Sequence, residues 1–347
     1  MTGTKCLDVA IELKKAFAGK LVVQICAFAQ DPIFSSEHGL DNRRILEDAL
    51  LRHTAGGTGA IAALGTTPYV ESSREASLEN IAWAIRTALH YGLHLDFHLD
   101  YNLNDVQSDA SRPMVWEVIR LLDSASWNTS AKPAMTVVLG HCSQLTLFTN
   151  EQMKSLATRI RDSKLPIHFV GLPTSDLFMM GRPTAGAGES SDGGDMQSAH
   201  RPRGTLQIPS MIRDLGLNAC LSVNNVGNAF TPWGTGDPLA LASLGVGVYQ
   251  ASTEADARIL LECVSSRARK AIGLGPSGRD ADIRRGIKDE GEGLLWEGRK
   301  GALLWIENEK WVGCPAHLRF KVPARQRVGV MDVVWDPPET RLRRILS

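Results

Sequence analysis

Residues Lys20 to Gln30 read KLVVQICAFAQ, a short, largely β-branched and almost wholly apolar run closed by one polar side chain. Such a run suits a strand buried on both faces, as parallel sheets require. Five more follow at Ala60–Leu64, Leu93–Leu99, Met135–Gly140, Ile167–Leu172 and Asn218–Val223. Helices fit between them. Ser77 is expected to cap one whose residues Leu78, Ile81, Ala82, Ile85, Ala88 and Leu89 share a face, with Gly92 ending it. Pro113 suits the first turn of a second, with Val115, Val118, Ile119 and Leu122 inward. Asn150 is expected to cap a third that buries Met153, Leu156, Ala157 and Ile160. Strand and helix in strict turn mean right-handed βαβ units and a parallel sheet. Polar residues then choose a barrel over an open sheet. Gln30, Pro68, His98 with Asp100, His141, Pro173 and Asn224 with Asn225 all fall at or just beyond strand C-terminal ends, the active rim of a (β/α) barrel. No glycine-rich dinucleotide loop follows the early strands, which counts against the open sheet.

Outward from these runs, Leu7, Ala10, Ile11 and Phe17 share a face of an N-terminal helix followed by Gly19. Arg182–Arg203 is rich in Gly, Ser, Asp and Ala and reads as a mobile excursion. Thr253–Gly273 reads as one long helix, Asp280–Gly293 as a charged loop, and KGALLWIE (300–307) and VGVMDVVWDPP (328–338) as strands. Residues 1–275 therefore read as a (β/α) barrel with a flexible loop at 183–203, and residues 276–347 as a charged loop and small β appendage. Lys plus Arg and Asp plus Glu are both 38, so no cationic surplus favours nucleic acid or a membrane surface. A hydrophobic share of 43% excludes disorder as the main state, and no run is long enough to span a membrane. The six cysteines lie far apart with no CxxC pair, as befits reduced thiols in the cytoplasm.

The segment HLDFHLDY, His94–Tyr101, concentrates the chemistry. Strand alternation puts His94, Asp96, His98 and Asp100 on one face, with Leu95, Phe97 and Leu99 on the other. Four polar groups on one face of a buried strand are costly unless paired or liganded. They read either as a metal or proton-transfer site, His98 and Asp100 nearest the open end, or as a self-satisfied network. His94, at the strand's start, fits the network. His141 could be a general acid or base, a metal ligand or a structural donor. Cys142 beside it points to the opposite face, so a Cys/His nucleophile pair is not expected. Asn224 and Asn225 could bind a ligand or organise the turn. Asp176 and Arg182 could form an ion pair or anion clamp, and Trp233 could wall a pocket or pack.

AFAQ ending at Gln30, FHLDY around His98, LGHCS around His141, FVGLPTSDLFMMGR (169–182), and GLNACLSVNNV (216–226) followed by FTPWGTGDPL (230–239) form an ordered set. In them the chain resembles the cytosine-deaminase-like branch of the amidohydrolase superfamily, most of all its fungal-type members, from about Leu7 to about Gly273. The resemblance implies a metal-dependent (β/α)8 barrel with a small β-sandwich, hydrolysing amide or amidine bonds, often in nitrogen heterocycles. It makes His98 the fifth-strand ligand of a zinc or iron ion, His141 the sixth-strand histidine near the metal's water, and Gln30 the reader of the substrate's edge. Asn224 stands where the family has a ligand aspartate and is left as a weak donor, while Asn225 and Trp233 fall to the substrate. Tyr101 stands where the family has a proton-shuttling glutamate. A phenol, unperturbed at about pKa 10, is a poor base, so Asp100, on the face of His98, is the expected substitute. No HxH pair precedes Gln30. The six strands correspond to the third through eighth, and the chain reads as a shortened form of a longer protein whose upstream part would carry an HxH strand roughly a hundred residues before Gln30. The expected fold is thus an amidohydrolase-type TIM barrel lacking its first two strands, with a small C-terminal β segment. The expected function is C–N hydrolysis of a small nitrogen-containing substrate, with divalent metal held weakly or not at all. The alternative is a non-catalytic remnant that binds a small molecule or a partner. Exposed barrel edges at Leu21–Phe28 and Ala219–Val223 would favour a homo-oligomer.

Overall fold

The six apolar runs become six parallel strands that pair in sequence order: β1 (Ile25–Ala29), β2 (Ile61–Thr66), β3 (His94–Leu99), β4 (Val137–His141), β5 (Ile167–Gly171) and β6 (Ala219–Leu221). This computed structural model describes residues 3–54, 57–101, 103, 113–180, 204–231, 236–274, 303–313 and 321–346. Among the described residues, these strands are accompanied by the helices α1 (Lys5–Ala16), α2 (Gly39–His53), α3 (Arg74–Tyr91), α4 (Val115–Ser124), α5 (Trp127–Ser130), α6 (Asn150–Ser163), α7 (Pro173–Met179), α8 (Ile208–Arg213), α9 (Pro238–Val248), α10 (Glu254–Cys263) and α11 (Ser266–Ala271). The result is a partial (β/α) barrel in which β1 and β6 are the outer strands of the sheet.

Pleating divides the strands between two environments. Leu95, Phe97 and Leu99 of β3, Val137 and Leu139 of β4, and Ile167 and Phe169 of β5 are buried and join the apolar stripes of α3, α4 and α6 in one core. Phe97 and Phe169 are fully buried, so truncating either to alanine costs about 3–5 kcal/mol. His94, Asp96 and His98 alternate with the buried residues of β3 and are only partly covered. The polar side chains of β3 therefore face the inside of the curved sheet, among apolar neighbours such as Val138 and Val170.

Helix ends differ in detail from expectation. The cap of α3 is Ser73, which accepts from Ala76 N, whereas Ser77 sits inside the helix and donates to the Pro68 and Ser73 carbonyls. Gly92 closes α3 in the left-handed conformation at φ +67°. Thr149, not Asn150, caps α6, in a reciprocal capping box with Gln152. Pro113 lies just ahead of α4, whose buried residues Val115, Val118, Ile119 and Leu122 are the expected four. Phe17 is exposed, and the chain reaches β1 late, because the amides of Lys20 and Leu21 close back on the Phe17 carbonyl. The expected long helix Thr253–Gly273 breaks at Val264–Ser265, where Ser265 leaves helical geometry and donates its hydroxyl to the Leu261 carbonyl.

Beyond the barrel, β7 (Leu303–Ile306) pairs antiparallel with β10 (Arg343–Leu346), and β8 (Trp311–Gly313) with β9 (Lys321–Pro323). The segment expected as a strand at 328–338 is instead helix α12, Val330–Trp335. Asp332 accepts from the Val328 and Gly329 amides, which fixes a helical first turn. An apolar run this short does not declare its period. Val334 is fully buried in the barrel's own core, and Arg343 donates to Asp237, the cap of α9, at 2.9 Å. No helix among the described residues is long and apolar enough to cross a membrane. The excursion expected at 183–203 and the charged loop at Asp280–Gly293 lie outside the described residues.

Candidate functional site

The site forms where β3 and β4 end. His98 projects from the inner face of β3 because the pleat sends Phe97 and Leu99 to the core. Its ring lies 4.7 Å from that of Phe28 on β1 and 4.9 Å, edge to face, from that of His141 on β4. Gly140 makes this approach feasible, since a Cβ there would stand 3.1 Å from His98 Cδ2. Burial, and secondarily the neighbouring His141, push the His98 pKa down to about 3, so the ring stays neutral. His98 helps to line a cavity of about 450 Å³ inside the curved sheet, together with Asp96, Gly140, Leu172 and Asn224. Burial raises the Asp96 pKa to about 6.

His141 is nearly inaccessible, at 3% exposure, and has φ +65°, followed by Cys142 at +47°. Two consecutive non-glycine residues in the left-handed region store strain that the surrounding structure must hold. Two tyrosines close over the ring, Tyr101 at 4.6 Å and Tyr69 at 6.4 Å between centroids. From below, His141 Nδ1 meets Asp176 Oδ1 at 3.4 Å, and Thr205 Oγ1 donates to Asp176 Oδ2 at 2.6 Å. Asp176 is fully buried on α7, which Pro173 begins; the preceding residue of that helix, Ser175, accepts from Asn224 Nδ2 at 3.2 Å. Two successive residues of one short helix thus address two of the expected site residues.

Asp100 departs from its expected face. Its φ of +49° ends the alternation of β3, and its carboxylate turns away to accept from Met114 N at 2.6 Å and Val115 N at 3.0 Å, tying down the start of α4. Burial raises its pKa to about 6 against those two amides and Arg74. Tyr101, expected to alternate away, is the residue brought onto His141. Gln30 is exposed beyond β1 and lines not the His98 cavity but a separate groove of about 520 Å³ bounded by α1, β1 and α2. Asn225 is exposed and does not line the His98 cavity, while Trp233 and Arg182 lie outside the described residues. His94 closes the floor: its Nδ1 accepts from Thr136 N at 3.0 Å, and Thr136 Oγ1 donates to the Ala271 carbonyl. Cys142 is fully buried, and burial with the charges of Asp100 and Asp176 pushes its thiol up, leaving it inert.

Tyr69 and Thr205 had no motif to mark them. Asp176, a candidate for an ion pair or anion clamp with Arg182, instead faces His141, 35 residues earlier in the chain. Among the described residues, no three of His, Cys, Asp or Glu converge as a metal would need. His98 with a neutral Asn224 is short of the three good protein ligands that zinc sites require, so this donor set does not fit a tightly held ion.

No family model and no curated protein sequence matches the chain. Among solved structures, it is similar to 5-methylcytosine deaminase from Klebsiella pneumoniae liganded with 5-fluorocytosine, at TM-score 0.61 and 21% identity over 78% of this chain and 57% of that one. It is also similar to N-isopropylammelide isopropylaminohydrolase from Burkholderia multivorans, at TM-score 0.56 and 18% identity, over 80% of this chain and 60% of that one. The chain thus spans less than two thirds of the length of either. At these identities the likeness establishes the fold alone: the six parallel strands form part of a (β/α) barrel of the same architecture as these two structures.

Proposed function

We propose that this protein is a C–N hydrolase of the amidohydrolase superfamily, nearest its cytosine-deaminase-like branch and fungal-type members, acting on a small cyclic amide or amidine. One observation carries the reading: His98, His141 and Tyr101 meet at the C-terminal ends of adjacent strands, on a barrel shared with a cytosine-type deaminase. Hydrolysis needs a proton taken from water and a proton delivered to the departing nitrogen. We assign that movement to His141. His98, neutral at any working pH, offers a lone pair toward water or substrate in the cavity. Asn224, whose Nδ2 donates to Ser175 Oγ, lines the same cavity. Asn225, Gln30 and Trp233 remain assigned to substrate on the resemblance alone. The five described cysteines are unpaired, which supports a cytoplasmic setting. The outer strands β1 and β6 support edge pairing between copies.

A second reading, ligand binding without turnover, is favoured by the incomplete donor set and by Tyr101 in place of a carboxylate. Ammonia release from cytosine, 5-methylcytosine and simple cyclic amidines, with and without added zinc or ferrous iron, separates the two. Turnover lost in His141→Ala supports the hydrolase. Saturable calorimetric binding with no release supports the second reading, and neither outcome would leave both refuted.

A further inference from the structure

We propose that Asp176, held by Thr205, is the positioning residue of His141, accepting a hydrogen bond from Nδ1–H and leaving Nε2 as the ring's basic nitrogen. An ionised carboxylate only accepts hydrogen bonds, so a ring nitrogen facing it must donate. Asp176 is fully buried, where a carboxylate needs such donors. Thr205 Oγ1 supplies one to Oδ2 at 2.6 Å, and His141 Nδ1 faces Oδ1 at 3.4 Å, long for a hydrogen bond and typical of an acid–base pair without substrate. The left-handed backbone at His141 and Cys142 is the second sign that the ring is held in place against local preference. The same helix fixes Asn224 through Ser175, so α7 orients both side chains at once.

The catalytic consequence rests on the hydrolase reading, but the positioning belongs to the folded chain and is read without substrate. Long-range proton–nitrogen correlation on the ¹⁵N-histidine-labelled full chain, with His141→Gln for assignment, reports the tautomer. His141 is expected as the Nδ1–H form, although a histidine side chain free in water favours Nε2–H. Asp176→Leu should shift the tautomer ratio toward Nε2–H by roughly tenfold or more, the worth of a charge-assisted hydrogen bond. Asp176→Asn should restore it, since the amide oxygen still accepts. With a substrate in hand, Asp176→Leu lowers kcat and leaves KM in place. If Asp176→Leu does not fold, Thr205→Val removes only the hydroxyl holding the carboxylate and should shift the ratio in the same direction. A wild-type Nε2–H form, or a ratio unmoved in the folded variants, overturns the proposal. The expected tautomers in a protein that hydrolyses nothing would uphold Asp176 and overturn the hydrolase reading alone.

Discussion

Glu71→Gln tests how the rim is held. Glu71 follows the 3₁₀ turn Pro68–Val70 that carries Tyr69, and its carboxylate reaches across to the loop after β1. Oε1 accepts from Ile33 N at 3.0 Å, Phe34 N at 3.3 Å and Asn80 Nδ2 at 2.9 Å; Oε2 accepts from Ser35 N at 2.9 Å and Ser35 Oγ at 2.6 Å. Glutamine has one accepting oxygen, so its amide must face backbone N–H donors that cannot turn round. Serine can reverse its hydroxyl; Ser35 N cannot. With charge-assisted bonds worth about 1.5–3 kcal/mol and part of the set surviving, the substitution should cost about 2–4 kcal/mol. Burial alone would raise the Glu71 pKa, but the bonds from Ser35, Asn80 and the amides of Ile33 and Ser35 outweigh it and hold it below the ordinary value. A depressed carboxylate contributes fully above its unfolded pKa of about 4.3 and loses that contribution as pH falls through the folded value. Thermal unfolding of wild type and variant at pH 7, 5, 4 and 3 should therefore show a Tm gap that is widest at pH 7 and closes toward pH 3. Equal melting at pH 7, or a gap that persists undiminished in acid, would refute the clamp.

Asp100→Ala should destabilise the protein by about 1–2 kcal/mol through the loss of the α4 anchor, seen in denaturant unfolding, while Tyr101→Phe should leave stability near wild type and alter the His141 ring resonances; the reverse pattern would restore Asp100 to the site. Gly140→Ala should cost about 1–3 kcal/mol as overpacking and displace the His98 ring, read as changed aromatic shifts of His98 and His141 and a fall in any hydrolysis. Dialysis against chelator followed by elemental analysis should leave well below one divalent ion per chain, and His98→Ala should not lower it further; a retained full equivalent would contradict the donor set.

The parts of this molecule legible in its sequence are those where a single local rule dominates. The strand runs and the stripe Val115, Val118, Ile119, Leu122 follow from periodicity, and periodicity held for His94, Asp96 and His98 as well. It failed at the next step of the same pattern. Asp100 occupies the position that alternation assigns to the face of His98, yet it lies one residue past the end of β3, where φ has changed sign. Alternation is a property of extended backbone, and one left-handed residue exchanges the two faces, sending the carboxylate to α4 and the phenol to His141. Barrel strands end at the rim, so the rule is weakest at the positions where it is asked to name a base. The partner of His141 was hidden for another reason. Asp176 comes 35 residues later, on a helix after the next strand, and parallel β4 and β5 bring their C-terminal ends together only once the sheet has formed. No periodicity within either segment encodes that meeting. A rim histidine in such a fold is better paired by asking which carboxylate sits in the first turn after the neighbouring strand than by searching its own strand, and here that search leads past Asp100 to Asp176.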